Sequence, residues 1–548
     1  MLGTTAAAQA ADATAAAIRT LVESGTHAAL HVHRLSGLAG SLRHLYYERG
    51  YAPLWLQDNK LTVQAQAVVG ILAVAADEGL DPDDYDAPRI VADAQGLRAA
   101  TPTDAAALAR FDVDLSAATM RYIEDVSHGV IDPQRAGIAV TRVAAPLNVE
   151  QVITEAATAD ATAALHAVTP PFPVYQTLKG ALAHLRQTAQ PNVPGIPALP
   201  RLHPGGTDTG IPALRQFLIA EGDLPADTAP GADLNLYDDA LVKAVTHFQH
   251  RHGLEEDGII GAATLRQLRA PLSQRIIQLR LALERLRWLP HAFPKRTIIV
   301  NLPEFRMRVY DRGGTQPVLT MNVVVGSVAQ NTETPLLAAD MRYVIFRPRW
   351  NVPDSITQKE MLPSIRHNAR YIKKENLELV DSDGMLLEPT EENIDLLQTH
   401  GARLRQKPGD HNSLGLIKFV LPNRDDIYFH DTPRKSLFRR ARRDFSHGCI
   451  RVADPVALAE FALTGVPGWT RDRIEGAMHN TDPDKVHVRA ALAAPISVYL
   501  LYTTAVVGED GEIVFLDDIY GYDAKLAPLL TGEPGLKTGT GTQPGEKM

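Results

Sequence analysis

The sequence predicts a multi-domain α+β protein, all-helical in its first half and mainly β in its second. Three observations carry that expectation. The chain has 548 residues, roughly three to four times a typical domain of about 150. Apolar residues recur at spacings of three and four as far as Leu286, the repeat of a helix face. From Lys295 onward the repeat falls to two, as in half-buried strands.

Residues 1–34 read as a flexible N-terminal segment. Met1 to Ile18 is Ala-rich with no Lys or Arg before Arg19, so it lacks the basic start of a signal peptide, although Ala8-Gln9-Ala10 has the small-residue look of a cleavage site. A processing site, a start lying further upstream and a frayed tail all remain open. Residues 35–190 read as one helical domain. Its clearest helix carries Leu108, Phe111, Leu115, Ala118 and Tyr122, starts near Thr103-Asp104 and stops at Gly129. The Ala-rich stretch from Ile153 to Val168 reads as surface connection or weakly specified helix. A Pro/Gly cluster from Pro191 to Gly210 is a boundary. Residues 200–270 then form a small three-helix module, with Leu214 and Leu218 on one helix and Leu241, Val245 and Phe248 on the next. Ile276, Leu279, Leu283 and Leu286 give residues 271–292 one apolar stripe, a connecting helix that Pro290 stops.

Residues 293–523 are the β domain. Phe305, Met307 and Val309 alternate with arginines and a tyrosine, and further strands read at Val318–Val325, Tyr343–Phe346, Leu416–Leu421, Ile427–His430, Val498–Thr503 and Ile513–Leu516. Residues 350–413 interrupt them as a polar, helical insertion, with Gln358–Lys374 its clearest helix. So long an insertion reads as a lid. Residues 524–548, rich in Gly, Pro, Thr and Lys, read as a disordered tail.

Composition excludes several functions. With 55 basic against 64 acidic residues the net charge is −9, so no chain-wide basic surface for nucleic acid is expected. No window is apolar enough to cross a bilayer. The single cysteine, Cys449, allows neither an intrachain disulfide nor a multi-cysteine zinc site.

The chemistry concentrates in Ile427-Tyr428-Phe429-His430-Asp431-Thr432 and Ser446-His447-Gly448-Cys449-Ile450-Arg451. A thiol attacks as thiolate, which imidazole, cations and exposed N–H groups favour. His447, His430 and the run Arg434, Lys435, Arg439, Arg440, Arg442, Arg443 and Arg451 supply the first two. Gly448 permits the sharp turn that could aim N–H groups at an oxyanion. A lone cysteine is ordinarily small apolar filler and a basic run ordinarily a solvated face, so residue chemistry alone leaves catalysis and packing both open.

These two segments resemble the L,D-transpeptidase catalytic domain, also called YkuD. Arg347-Pro348-Arg349-Trp350-Asn351-Val352-Pro353, Arg405-Gln406-Lys407-Pro408-Gly409 and Glu284-Arg285-Leu286-Arg287-Trp288 resemble its large, multi-domain periplasmic branch. Phe248-Gln249 through His252-Gly253-Leu254 to Asp257-Gly258, with Thr264, is similar to a peptidoglycan-binding module, and the first helical region to that branch's scaffold domain.

The resemblance implies peptidoglycan stem peptides and glycan as partners, periplasmic location and a monomer, with other cell-wall synthesis enzymes as further partners. It implies Cys449 as nucleophile attacking a tetrapeptide stem with release of D-Ala, then forming a 3→3 crosslink. His430 would be the base, oriented by a carbonyl such as that of Asp431. Gly448, His447 and Tyr428 would shape the turn and the oxyanion site, and Arg451, Ser446, Trp350 and Asn351 would bind substrate. For Trp350 a hinge role in the β core stands equally open, as does bracing rather than glycan binding for the module. Hydrolysis, attachment to a lipoprotein lysine, and a catalytically inactive wall-binding role are the rival readings. No cofactor and no metal are expected, since His31-Val32-His33 and His250-Arg251-His252 lack any partner motif. Lys537-Thr538-Gly539 reads as coincidence, because no serine has a lysine three residues later.

Overall fold

The computed structural model describes residues 2–24, 38–99, 104–134, 136–138, 146–188, 199–368, 370–480 and 487–531. The chain divides into two compact units, residues 1–292 with 503–548, and Phe293–Tyr502. His31-Val32-His33, residues 191–198 of the Pro191–Gly210 cluster and Lys537-Thr538-Gly539 lie outside the described residues.

In the first unit the helices run α1 (Leu2–Ser24), α2 (Ala39–Glu48), α3 (Val63–Ala73), α4 (Ala87–Ala99), α5 (Ala105–His128), α6 (Val149–Thr158), α7 (Ala161–His166) and α8 (Pro173–Thr188). A two-stranded ribbon of β1 (Leu56–Gln57) and β2 (Lys60–Leu61) precedes α3. The α5 boundaries follow from its caps. The Asp104 carboxylate accepts the Ala106 N–H, worth about 1 kcal/mol, and Gly129 ends the helix at φ +86°. Residues 2–24 are not the expected flexible segment: α1 packs on α5 and buries Ile18 and Val22 in the same core as Phe111 and Leu115. The Ala-rich stretch likewise forms α6 and α7, with Ile153 and Leu165 buried.

The module follows as α9 (Ile211–Ala220), α10 (Asp239–His250) and α11 (Ala262–Leu268), around Leu214, Leu218, Leu241, Val245 and Phe248. Next, α12 (Leu272–Arg287) is no exposed connector. Leu279 and Leu283 bury against Tyr175, Leu178 and Leu182 of α8, and Arg287, fully buried, donates to the Tyr175 hydroxyl and the Glu78 carbonyl.

In the second unit the strands are β3 (Thr297–Asn301), β4 (Arg306–Tyr310), β5 (Leu319–Gly326), β6 (Leu337–Phe346), β7 (Trp350–Asn351), β8 (Leu377–Asp381), β9 (Leu386–Leu387), β10 (Ala402–Gln406), β11 (Ile417–Val420), β12 (Phe429–His430), β13 (Asp444–Ser446), β14 (Ile450–Val452) and β15 (Val488–Leu501). Nine of them make one sheet in the order β13-β5-β14-β12-β11-β6-β15-β3-β4, and β4 also pairs with β5, closing the sheet on itself. Ile298, Val300, Val309, Phe346, Phe419, Phe429 and Ile450 fill its interior, each such side chain contributing about 1.5–3 kcal/mol. After β14 come α17 (Pro455–Ala462) and α18 (Arg471–His479), and Trp469 between them stacks on Phe346 at 4.9 Å.

The insertion is not simply helical. β7, β10, β8 and β9 form their own four-stranded sheet. The expected helix over Gln358–Lys374 is broken into α13 (Asp354–Ile356), a π-helical turn (Thr357–Met361), α14 (Leu362–His367) and α15 (Arg370–Lys374), with Asn368 extended between the last two. With α16 (Glu391–Gln398), these pack around Trp350, Ile365, Leu377, Leu397 and Leu404.

The second unit ends at Tyr502, short of the expected 523. β16 (Ala505–Val507), β17 (Ile513–Phe515) and α19 (Tyr522–Thr531) belong to the first unit, where Ala505 and Phe515 join the core of α8 and α12. Alternation marked residues 513–516 as strand, but only packing decides which core a strand serves.

Candidate active site

Strand register assembles the site. β11 and β12 run antiparallel with Lys418 opposite His430, and β12 and β14 run parallel with His430 beside Arg451. Directly paired residues share a sheet face, so Arg451, His430 and Lys418 form one row across three adjacent strands. Tyr428, two residues before His430, is on the same face, its ring centroid 5.8 Å from the imidazole. Cys449 borders that row one residue before β14, where the Ile450 N–H donates to the Tyr428 carbonyl.

The turn that presents Cys449 is held from within. Gly448 sits at φ +107°, a conformation that favours glycine. The Ser446 hydroxyl donates to the Cys449 carbonyl at 2.6 Å and accepts the Gly448 N–H at 3.2 Å. Thr334, which the sequence reading passed over, donates to the Gly448 carbonyl at 2.7 Å and accepts the Gly326 N–H at 2.8 Å. Ser446 is therefore a buried turn-builder, its hydroxyl engaged inside the loop. His447 points away from the thiol, its Nε2 2.7 Å from Glu360 Oε1 in the π-helical turn of the insertion.

The thiol is half-buried. Its Sγ donates to the Asp426 carbonyl at 3.6 Å, and the N–H and hydroxyl of Tyr428 both face it. Burial raises the Cys449 pKa, while the Tyr428 donors and the Lys418 charge pull it down and Asp426 pushes it up. The Tyr428 hydroxyl also takes a hydrogen bond from the Trp350 side chain, and burial holds it far above the usual phenol range. Trp350 thus serves the insertion's core and reaches the thiol's nearest donor, whereas Asn351 is exposed and pairs with Arg405.

His430 Nδ1 stands 2.5 Å from the Asp431 carbonyl. A carbonyl only accepts, so Nδ1 carries the proton and Nε2 the lone pair. Burial, then the Arg451 and Lys418 charges, lower its pKa to about 3. No hydrogen bond joins this imidazole to the thiol, contrary to the expected direct pair; the thiol's partners are Asp426 and Tyr428. The Asp431 carboxylate faces elsewhere, accepting the Leu416 N–H at 2.9 Å and pairing with Lys435 at 2.5 Å.

The basic run is less of a field than its sequence suggests. Arg442 is forked onto Asp444, and Arg443 is buried, donating to the Val323 and Phe305 carbonyls. Arg451 is mostly buried with its pKa lowered to about 10, by burial first and then by Arg434. Its Nε has no hydrogen-bond partner among the described residues.

The second unit is thus a closed β sheet that presents a turn-mounted thiol beside an imidazole and cations, the groups that nucleophilic thiol chemistry needs. Residues 295–473 match the family described as the L,D-transpeptidase catalytic domain, YkuD. Residues 40–182 match a scaffold domain, and residues 207–268 the family described as "Putative peptidoglycan binding domain". A Haemophilus influenzae protein named "Putative L,D-transpeptidase" is 34% identical over 232 residues, covering 42% of this chain and 45% of that protein. The match thus spans less than half the length of that curated relative. A solved L,D-transpeptidase fragment from Xylanimonas cellulosilytica aligns with 56% of this chain and 99% of its own at 16% identity, with a TM-score of 0.15, too low to define a shared fold.

Proposed function

We propose that the protein is a peptidoglycan L,D-transpeptidase that forms 3→3 crosslinks through a Cys449 thioester. The observation that carries this reading is the turn-mounted Cys449 facing the Tyr428 hydroxyl and N–H, beside the row of His430, Arg451 and Lys418. In the first half-reaction Sγ attacks the carbonyl at the L-centre of the third stem residue. The Sγ–C bond forms, the thiol proton passes to His430 Nε2, and the amide C–N bond breaks as that proton goes to the departing D-Ala amine. Catalytic contacts commonly tighten only when substrate docks, which would draw the thiol from Asp426 toward the imidazole. The Tyr428 hydroxyl, with the Cys449 N–H, would receive the oxyanion, since the Gly448 N–H is held by Ser446. In the second half a side-chain amine of another stem attacks the thioester, the C–N bond forms as His430 Nε2 takes the amine proton, and the C–Sγ bond breaks with that proton returned to Sγ.

Arg451 is the candidate for a stem carboxylate, since its unpartnered Nε suits a planar anion. The cap over residues 350–413 would exclude water, which favours an amine acceptor over hydrolysis. The match at residues 207–268 supports peptidoglycan as partner, and a periplasmic or cell-wall location follows from that substrate. Incubating the protein with disaccharide-tetrapeptides and analysing products by mass spectrometry tests the reading. Crosslinked dimers lost in Cys449→Ala are expected; dimers persisting in that variant refute the nucleophile, and tripeptide monomers alone make the enzyme a carboxypeptidase.

A further inference from the structure

The least explained group near the thiol is Lys418. Strand alternation places it on β11, opposite His430 and on the site face. Its ammonium lies 3.5 Å from the centroid of the Tyr428 ring, a close cation–π contact. Among the described residues no carboxylate lies within ion-pair distance of it and no acceptor takes its protons, although the side chain is half-buried. A half-buried cation without a counter-ion is costly to keep. The ring under the ammonium belongs to the residue whose hydroxyl and N–H face Sγ.

We propose that Lys418 is the fixed cation against which Cys449 ionises, a positioning residue held by the Tyr428 ring; this rests on Cys449 being the nucleophile. The groups facing the thiol are Asp426 and Tyr428 in the segment before β12, His430 on β12, Arg451 on β14 and Lys418 on β11. Two of these are cations, Arg451 and Lys418; burial lowers the Lys418 pKa, and the Cys449 and Asp426 charges raise it. A stem carboxylate docking on Arg451 cancels that charge when the thiolate is needed, which leaves Lys418 as the uncompensated positive charge. Desolvation by the same substrate strengthens its effect, because charges interact more strongly as water leaves. The direction agrees with the physical influences on the thiol: Lys418 favours its ionised form and Asp426 opposes it. After burial and the Arg451 charge, Lys418 also favours the unprotonated His430, so the base holds its lone pair until Sγ gives up a proton.

Alkylation of the full-length protein by iodoacetamide, followed by intact mass across pH, tests this directly, since Cys449 is the chain's single cysteine. In Lys418→Met the midpoint of the rate profile should rise by about one pH unit, and Lys418→Arg should return it toward wild type. A purely structural role would lower the melting temperature or the limiting rate and leave the midpoint where it was. An unmoved midpoint in folded Lys418→Met overturns the proposal. If that variant does not fold, Asp426→Asn decides: its midpoint should fall, and an unmoved one overturns the electrostatic account. The alkylation midpoint does not depend on crosslinking, so failure here is distinguishable from failure of the transpeptidase reading, which the Cys449→Ala product assay tests.

Discussion

The imidazole of His447 meets the carboxylate of Glu360 at 2.7 Å, tying the turn that carries Cys449 to the π-helical turn of the capping insertion. His447 therefore reports on the cap rather than on the thiol's proton. Glu360→Gln should leave kcat nearly unchanged and raise KM for a tetrapeptide donor about two- to fivefold, the scale of one partly exposed ion pair. Hydrogen exchange should quicken over residues 354–374. Steady-state kinetics with exchange mass spectrometry checks both, and a loss confined to kcat would contradict a role in the cap.

Tyr428→Phe removes the hydroxyl that faces Cys449 and accepts from Trp350 but keeps the ring under Lys418. Acylation should slow on the order of a hundredfold, the usual effect of losing one oxyanion donor, with KM little altered. Single-turnover acylation measured by intact mass separates this from a binding defect. Trp350→Phe, which removes only the donor to that hydroxyl, should cost less.

The buried imidazole of His430 gives a pH signature. Its pKa is about 3 in the folded protein against an ordinary 6.5, so in between the unfolded chain takes up a proton that the folded one refuses. Stability from this group is complete above pH 6.5 and lost as pH falls toward 3. Melting temperature should drop with acidification across that window, and His430→Asn should flatten the dependence even though the variant starts less stable. Parallel curves for the two proteins would refute a neutral buried imidazole.

Thr334→Val removes a hydroxyl that bridges the Gly448 carbonyl and the Gly326 N–H. Losing two buried hydrogen bonds should cost about 1–3 kcal/mol, read as a lower denaturation midpoint. Since the same bonds hold the Cys449 turn, the acylation rate should fall as well. Full activity in a destabilised variant would show that the turn keeps its shape without them.

The α5 helix and its caps, the alternating strands, the interrupting insertion and the paired segments around His430 and Cys449 were legible as strings, because each depends on residues close together in the chain. A Gly flanked by His and Cys marks a presented thiol wherever the strands run, and an Asp before an apolar periodic run marks a helix start. Other features depended on partners far away in sequence. The 2–24 segment has weak local pattern, yet Ile18 and Val22 find a core on α5. Residues 503–531 alternate like any strand of the catalytic sheet, but Ala505 and Phe515 complete the helical core of α8 and α12.

For the site the same division holds at the level of single atoms. Local sequence was sufficient to mark Cys449, Gly448, His430 and its Asp431 carbonyl, since a turn and a strand end are set within a few residues. Tertiary structure alone decided that Lys418 faces His430, that Trp350 reaches the Tyr428 hydroxyl, that Ser446 and Thr334 spend their hydroxyls on the turn, and that His447 faces Glu360. Cross-strand register and lid packing are choices among distant segments. Periodicity says which face a side chain takes, and only the folded sheet says what stands opposite it.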